Sequence, residues 1–381
     1  MQTETYDVIV IGLGVMGTAI AFELQSRGLN VLGLEQYVAN HEYGSSHGST
    51  RVIRKAYYEH PSYVPLLQRA YDRWYFMEQL AGWPLLIECG VLSLGKAESE
   101  LIRGVQRSAA EHALPLQSLS ADELRRLYPQ FTLPEDVVGA FEPSGGYLKV
   151  ELSVMVFSSE AKALGAMMML REKVLSWEAT PEGVVVHTEN NRFEAPKLVI
   201  AGGAWAGQLL HSLHLPLIPR RVVQLWFQTE QRELLRRDRF PIYIADMPEA
   251  IFYGFPVTDK AGHKCALHQP GEVVDDPSRM DKQWHPSDEA PLRRLLERYL
   301  PVALGPVSRG RPCMYTMTPD QHFVLDLHPE YPQVAIAAGF SGHGFKFAPV
   351  VGEIMADFVE HGRTELPVQM FGLQRFEHLK K

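Results

Sequence analysis

The stretch Tyr6 to Glu35, YDVIVIGLGVMGTAIAFELQSRGLNVLGLE, constrains the fold more tightly than any other part of the chain. Val8 to Ile11 is a β-branched run without polar interruption, which suits a parallel strand buried on both faces. Gly12, Gly14 and Gly17 follow at once with G-x-G-x-x-G spacing. The first allows a tight turn, the second lets the backbone approach a pyrophosphate, and the third lets a helix lie close on its strand. Val15 and Met16 open that helix, which runs to about Arg27 and stops at Gly28. A second apolar strand, Val31 to Leu34, ends in Glu35, whose carboxylate suits the two hydroxyls of an adenosine ribose. A βαβ dinucleotide-binding core is the expectation. The acid favours FAD or NAD over a 2′-phosphorylated cofactor, and the motif alone does not choose between those two.

With 381 residues the chain has room for two domains, or for one domain with a large insertion. Hydrophobic residues at 46% and charged residues at 22% are those of a soluble globular protein, and no apolar run approaches the ~20 residues of a membrane span. The start, MQTETYDV, has neither the basic region nor the apolar core of a secretion signal, so a cytoplasmic protein is expected. Three cysteines, Cys89, Cys265 and Cys313, suit a reducing compartment and match no zinc spacing, so no metal is expected. A net charge of −8 gives no general attraction for nucleic acid.

Downstream of Glu35, a polar loop from Gln36 to Thr50 is long enough to wrap a cofactor or border a site. Arg51 and Arg54, three apart, would share a face if their segment were helical, and their flanks look unlike surface. Helical periodicity marks Tyr63 to Leu80, Ala97 to Ala113, Ala121 to Tyr128 behind a Ser120 cap, and Glu151 to Leu164, while Phe141 to Lys149 reads as a turn-rich crossing. Lys197 to Ala204 is another buried strand running into glycines, and Gly202, Gly203 and Trp205 suggest a second backbone approach to the cofactor. Short aromatic-rich strands at Gln224 to Thr229, Ile242 to Ala245, Ile251 to Pro256 and Lys264 to His268 predict an antiparallel sheet that roofs the cofactor. A loop from Gly339 to Phe347 opens a last helix, Val350 to Glu360. The expected fold class is therefore α/β: a Rossmann-like FAD-binding domain (1–85, 147–219 and 320–381) interleaved with a mixed, largely antiparallel substrate domain (86–146 and 220–319).

GLGVMG with Glu35, SHGSTRVIRKAYYE, IFYGFP, HKCALH, RPCMYTMTPDQHFVLDLHP and AAGFSGHGFKFAPVVGE together resemble the monomeric sarcosine oxidase and N-methyltryptophan oxidase family of FAD amine oxidases, over nearly the whole chain and in the same order. The resemblance implies FAD, bound covalently through a thioether from Cys313 to the 8α-methyl of the isoalloxazine. It implies that Arg54 and Lys346 clamp a substrate carboxylate, with Tyr253 and His343 in the substrate pocket. Lys264, Arg51, His268 and Tyr253 take catalytic roles by the same likeness: Lys264 promotes the reaction with oxygen near flavin N5, and Arg51 lies against the other flavin face. Tyr315 borders the ring and pocket. Further cofactor contacts are implied at Gln36, His47, Ser49, Thr50 and Val174, at Met314 beside the cysteine, and at Gly342, Gly344, Phe345 and Lys346 in the late loop. The sequence departs from the family pattern at Ser46-His47-Gly48-Ser49, where paired histidines followed by an acid are usual, and at Cys265, where an aliphatic residue is usual.

The function implied is oxidation of a secondary or N-methyl amino acid, with O2 reduced to H2O2 and formaldehyde released from N-methyl substrates. The partners implied are a small amino acid and O2, with no nucleic acid, no membrane, and a monomeric state. A flavin-dependent dehydrogenase that passes electrons to another acceptor is the alternative; a cation at Lys264 favours oxygen, because it stabilises developing superoxide.

Overall fold

The computed structural model describes residues 5–380. A six-stranded sheet runs in the order Val324–Leu327, Val334–Ala338, Lys197–Ile200, Val8–Ile11, Val31–Glu35, Met167–Leu170, and every neighbouring pair is parallel except the first. Ile11 lies opposite both Ile200 and Leu34, so the ends of three parallel strands come level and the chain leaves them side by side as Gly12, Glu35 and Ala201. Ligands of open α/β sheets bind at this carboxyl edge. The helix Val15–Ser26 is buried from Val15 to Leu24 because it lies between the sheet and the helices Val150–Ala163 and Ala348–His361. The opposite sheet face is covered by the antiparallel strands Val174–Thr180, Gly183–Thr188 and Arg192–Ala195.

The roof is an eight-stranded sheet: Val307–Met317, Ile218–Phe227, His263–Leu267, Ala250–Gly254, Ile242–Met247, Val91–Lys96, Val137–Glu142, Gln117–Leu119. Its pairs are antiparallel except Ile242–Met247 with Val91–Lys96, which agrees with the mixed, largely antiparallel sheet expected. The two-residue period of a strand separates its faces. Leu225, Phe227, Tyr243, Phe252 and Cys265 point into a core closed by Leu292, Leu295, Leu296 and Tyr299 of the helix Pro286–Tyr299. In the same register, Gln224, Lys264, Tyr253, Ile244 and Cys313 share the other face, which looks onto the nucleotide sheet.

The segment that carries Arg51 is not helical. Arg51 and Arg54 do not share a helix face, because Thr50–Ile53 is a strand paired antiparallel with Gly146–Lys149. Phe141 to Lys149 is the turn-rich crossing expected: the end of a roof strand, a tight turn, and the start of the strand Gly146–Lys149 in a separate three-stranded sheet. The strand Val307–Met317, which carries Cys313, was not anticipated. No helix among the described residues is long and apolar enough to cross a membrane.

Candidate active site

The glycine turn owes its shape to packing. Gly12 has φ +91°, and a Cβ there would stand 2.6 Å from the Ala201 carbonyl oxygen, while a Cβ on Gly17 would stand 1.7 Å from the Gly12 carbonyl oxygen. Only hydrogen fits at either position, which brings the helix start against the strand ends. At Glu35, Oε2 accepts from the Leu13 N–H at 2.9 Å and Oε1 from the Tyr37 N–H at 3.0 Å, with His41 Nε2 at 3.4 Å. Burial raises the Glu35 carboxyl, but His41 and the two N–H donors outweigh it, so the group is held below the usual range and stays an anion able to receive hydroxyls.

A cavity of about 380 Å³ opens from this edge towards the roof. Gly12, Gly14, Val15, Met16, Glu35, Gln36, Val174, Gly202, Gly203 and Trp205 line its nucleotide end, and Arg51, Cys313, Met314, Gly342, Gly344 and Phe345 line the end beneath the roof. Gly17, His47, Ser49 and Thr50 are not on its wall. Gly17 serves packing. The loop N–H groups of Gly48 and Ser49 bind Glu151 Oε1 at 2.7 and 3.1 Å. His47 is 1% exposed with neither ring nitrogen partnered among the described residues, and burial, followed by Arg51, holds it neutral with a pKa of about 3.

A second cavity, about 60 Å³, shares Arg51, Tyr315, Gly342 and Phe345 with the first and adds Arg54, Tyr58, Glu59, Ile244, Tyr253, His268, His343 and Lys346. Arg54 and Lys346 are 4% and 5% exposed, so two cations stand in a nearly dry pocket. Arg54 Nη2 meets both Glu59 oxygens at 2.9 and 2.8 Å, Nη1 donates to the Ala56 carbonyl at 3.1 Å, and the guanidinium lies over the Tyr57 ring. Burial pushes the Glu59 carboxyl up, but Arg54, His343 and Lys346 bring it down to about 2. Lys346 Nζ donates to the His343 carbonyl at 2.6 Å and to the Tyr57 hydroxyl at 3.3 Å. Burial, then Arg54, lowers it to about 7 against the pull of Glu59.

His343 is fixed as one tautomer. Its Nε2 faces the Gln321 carbonyl at 2.9 Å and must donate, so Nδ1 accepts from the Tyr57 hydroxyl at 2.6 Å. Burial keeps His343 and His268 neutral, at about 3 and about 4.

Lys264 lines neither cavity. Its Nζ lies behind the Gly48–Thr50 loop, donating to the carbonyls of Gly48 and Thr50 at 2.7 Å each and to Thr50 Oγ1 at 3.1 Å. Burial, with Arg51 adding repulsion, holds it well below the ordinary lysine value. Tyr57, Tyr58, Glu59 and Gln224 are site-facing or site-bracing residues that the sequence did not single out. Glu59 had a visible signal, an acid five residues after Arg54 in RVIRKAYYE.

Residues 7–358 match the family of FAD dependent oxidoreductases known as DAO. The chain belongs to that family. Among curated relatives it is 38% identical to the monomeric sarcosine oxidase of Bacillus sp. strain B-0618 over 97% of this chain and 96% of that one. It is 35% identical to the N-methyl-L-tryptophan oxidase of Yersinia pestis strain Pestoides F over 97% and 99%. Among solved structures, the open form of NikD, an unusual amino acid oxidase essential for nikkomycin biosynthesis, superposes with TM-score 0.85 at 25% identity over 97% of this chain and 98% of that one. The chain is therefore a member of the FAD-dependent amine and amino acid oxidases, with their fold. Its residues fit that cofactor: the glycine turn leaves room for a pyrophosphate, Glu35 is an anion at the ribose position, and the long cavity leads from them to Cys313.

Proposed function

We propose that this enzyme oxidises a small secondary or N-methyl amino acid, using O2 as acceptor and releasing H2O2, with formaldehyde from N-methyl substrates. The observation that carries this reading is the pair of buried cations, Arg54 and Lys346, in a small pocket that joins the long cavity. When bound, FAD supplies the hydride acceptor and the route to oxygen. The polypeptide's part is to orient and to exclude water. Arg54 offers a planar fork and Lys346 a compact charge to one carboxylate, which fixes the amine end towards the shared wall of the two cavities. His268, neutral in the pocket, accepts a hydrogen bond from the amine, which must be uncharged to release hydride. Tyr253 and Ile244 close the side-chain end, and the size of the pocket favours compact substrates.

Cys313 lies on the wall of the long cavity and is the residue we assign to covalent attachment of FAD. Arg51 supplies positive charge on the wall that the two cavities share, and Lys264, behind the Gly48–Thr50 loop whose carbonyls and hydroxyl it holds, is the residue we assign to the oxygen step. Residues 1–85, 147–219 and 320–381 form the cofactor domain in this reading, and 86–146 with 220–319 the substrate domain. The protein acts as a cytoplasmic monomer, a setting suited to its three free cysteines.

The test is flavin absorbance under nitrogen against a panel of N-methyl and cyclic amino acids, followed by admission of air and a peroxide assay. Loss of absorbance with a compact member, and peroxide on aeration, are expected. No response to any secondary amine overturns the reading, and a response without peroxide replaces it with a dehydrogenase.

A further inference from the structure

Gln224 is 2% exposed, on the central face of the roof, and the proposed chemistry leaves it without a task. Its register places it opposite Arg311 and diagonal to Cys313, on the same face of the pleat. Gln224 Nε2 lies 3.3 Å from Cys313 Sγ, and Gln224 Oε1 lies 3.3 Å from Arg51 Nη1. The amide cannot be turned round: a guanidinium has donors only, so the oxygen must face Arg51 and an N–H must face the sulfur. Arg51 is itself held, donating to the carbonyls of Thr50 and Ser45 at 2.9 Å each, and Ser45 Oγ donates to the Met314 carbonyl at 2.6 Å. Space for the amide is made by Gly48, at φ +96°, where a Cβ would stand 2.5 Å from Gln224 Oε1.

We infer that Gln224 is a positioning residue for thioether formation at Cys313, its N–H meeting the sulfur anion while Arg51 fixes the amide. The inference rests on the covalent attachment proposed above. In that step the Cys313 S–H bond and one C–H bond of the flavin 8α-methyl break and a C–S bond forms. The two electrons and two protons released pass to the isoalloxazine, which is its own oxidant and is restored by O2. The sulfur must shed its proton before the C–S bond closes. An N–H donor is a far better partner for the anion than for the thiol, whose sulfur is a weak acceptor, and the fixed cation behind the amide reinforces the preference.

Full-length chain from riboflavin-starved cells, mixed with FAD, allows attachment to be timed by acid precipitation and intact mass. Gln224→Leu should attach FAD at least tenfold more slowly, with non-covalent binding retained and the pH–rate profile displaced upward by about one pH unit. Gln224→Glu separates bracing from donation, because it keeps and strengthens the contact with Arg51 but presents no donor to sulfur. It should be as slow as the leucine variant. Wild-type attachment rates in Gln224→Glu would overturn the inference while leaving covalent FAD intact. Free FAD in the acid supernatant of unaltered protein, indistinguishable from Cys313→Ser, would instead remove covalent attachment and the inference with it.

Discussion

Lys346 sets a pH dependence that a carboxylate ligand should reveal. In the ligand-free pocket burial and the neighbouring Arg54 bring its pKa to about 7. A carboxylate seated between Arg54 and Lys346 supplies the missing counter-charge and returns the group towards the ordinary lysine value of ~10.4. The recovery of about three pH units corresponds to roughly 4 kcal/mol of coupling between ligand and proton. Below pH 7 the ammonium is charged before and after binding, so affinity is level. From about pH 7 to about pH 10, binding draws in one proton and affinity falls about tenfold per pH unit, the slope that one linked proton imposes. Propionate, which has the carboxylate and no amine, isolates the effect from substrate ionisation. Its Kd can be followed through flavin absorbance from pH 6 to 9.5, and calorimetry in two buffers of different ionisation heat counts the proton. Lys346→Met should bind ~2–5 kcal/mol more weakly at pH 6 and lose the slope. A level Kd across this range, with no proton uptake by the unaltered protein, would refute the reasoning.

At pH 6, where Lys346 is charged, Glu59→Gln should tighten propionate binding about tenfold, because the carboxylate that occupies Arg54 Nη2 through both its oxygens is gone; weaker binding would make Glu59 an orienting partner and not a competitor. Lys264→Met should slow the return of flavin absorbance on aeration by about three decades, or ~4 kcal/mol, while substrate-driven loss of absorbance changes little; equal effects on both phases in stopped flow would remove it from the oxygen step. Gly17→Ala should lower the midpoint of thermal unfolding sharply and empty the chain of FAD, since its Cβ would lie 1.7 Å from the Gly12 carbonyl oxygen; an unchanged midpoint with full FAD content would contradict the packing.

The nucleotide core was legible because its signals are local: a strand, a glycine turn, a helix and an acid lie within Tyr6 to Glu35 and agree with one another. The Ser120 cap was equally plain, and the capping box with Glu123 is present. The strand Val307–Met317 was hidden by Gly310 and Pro312, which normally interrupt a strand. It is the outermost strand of the roof, and a missing N–H at an edge costs little. The conformation of the segment that carries Arg51 was left open by its residues because it comes from a partner almost a hundred residues away, at Gly146–Lys149. Tertiary pairing of that kind leaves no local trace. Gln224 was invisible for a similar reason: a lone glutamine in an apolar run carries no signal until the register brings a sulfur and a guanidinium to its two ends.

Strand order also governs timing during synthesis. The walls of the long cavity run from Ile11 to Phe345, and Val334–Ala338 is an interior strand of the nucleotide sheet, paired with Lys197–Ile200 on one side and Val324–Leu327 on the other. A ribosome must thus release the chain from the glycine turn through Ala338 before that sheet is complete. Contacts so distant along the chain form late. A chain halted at Gln333 keeps the turn, Glu35 and Cys313 yet lacks the strand that ties Val324–Leu327 to the rest of the sheet and the cavity wall from Gly339 to Phe345, and it should leave the ribosome colourless.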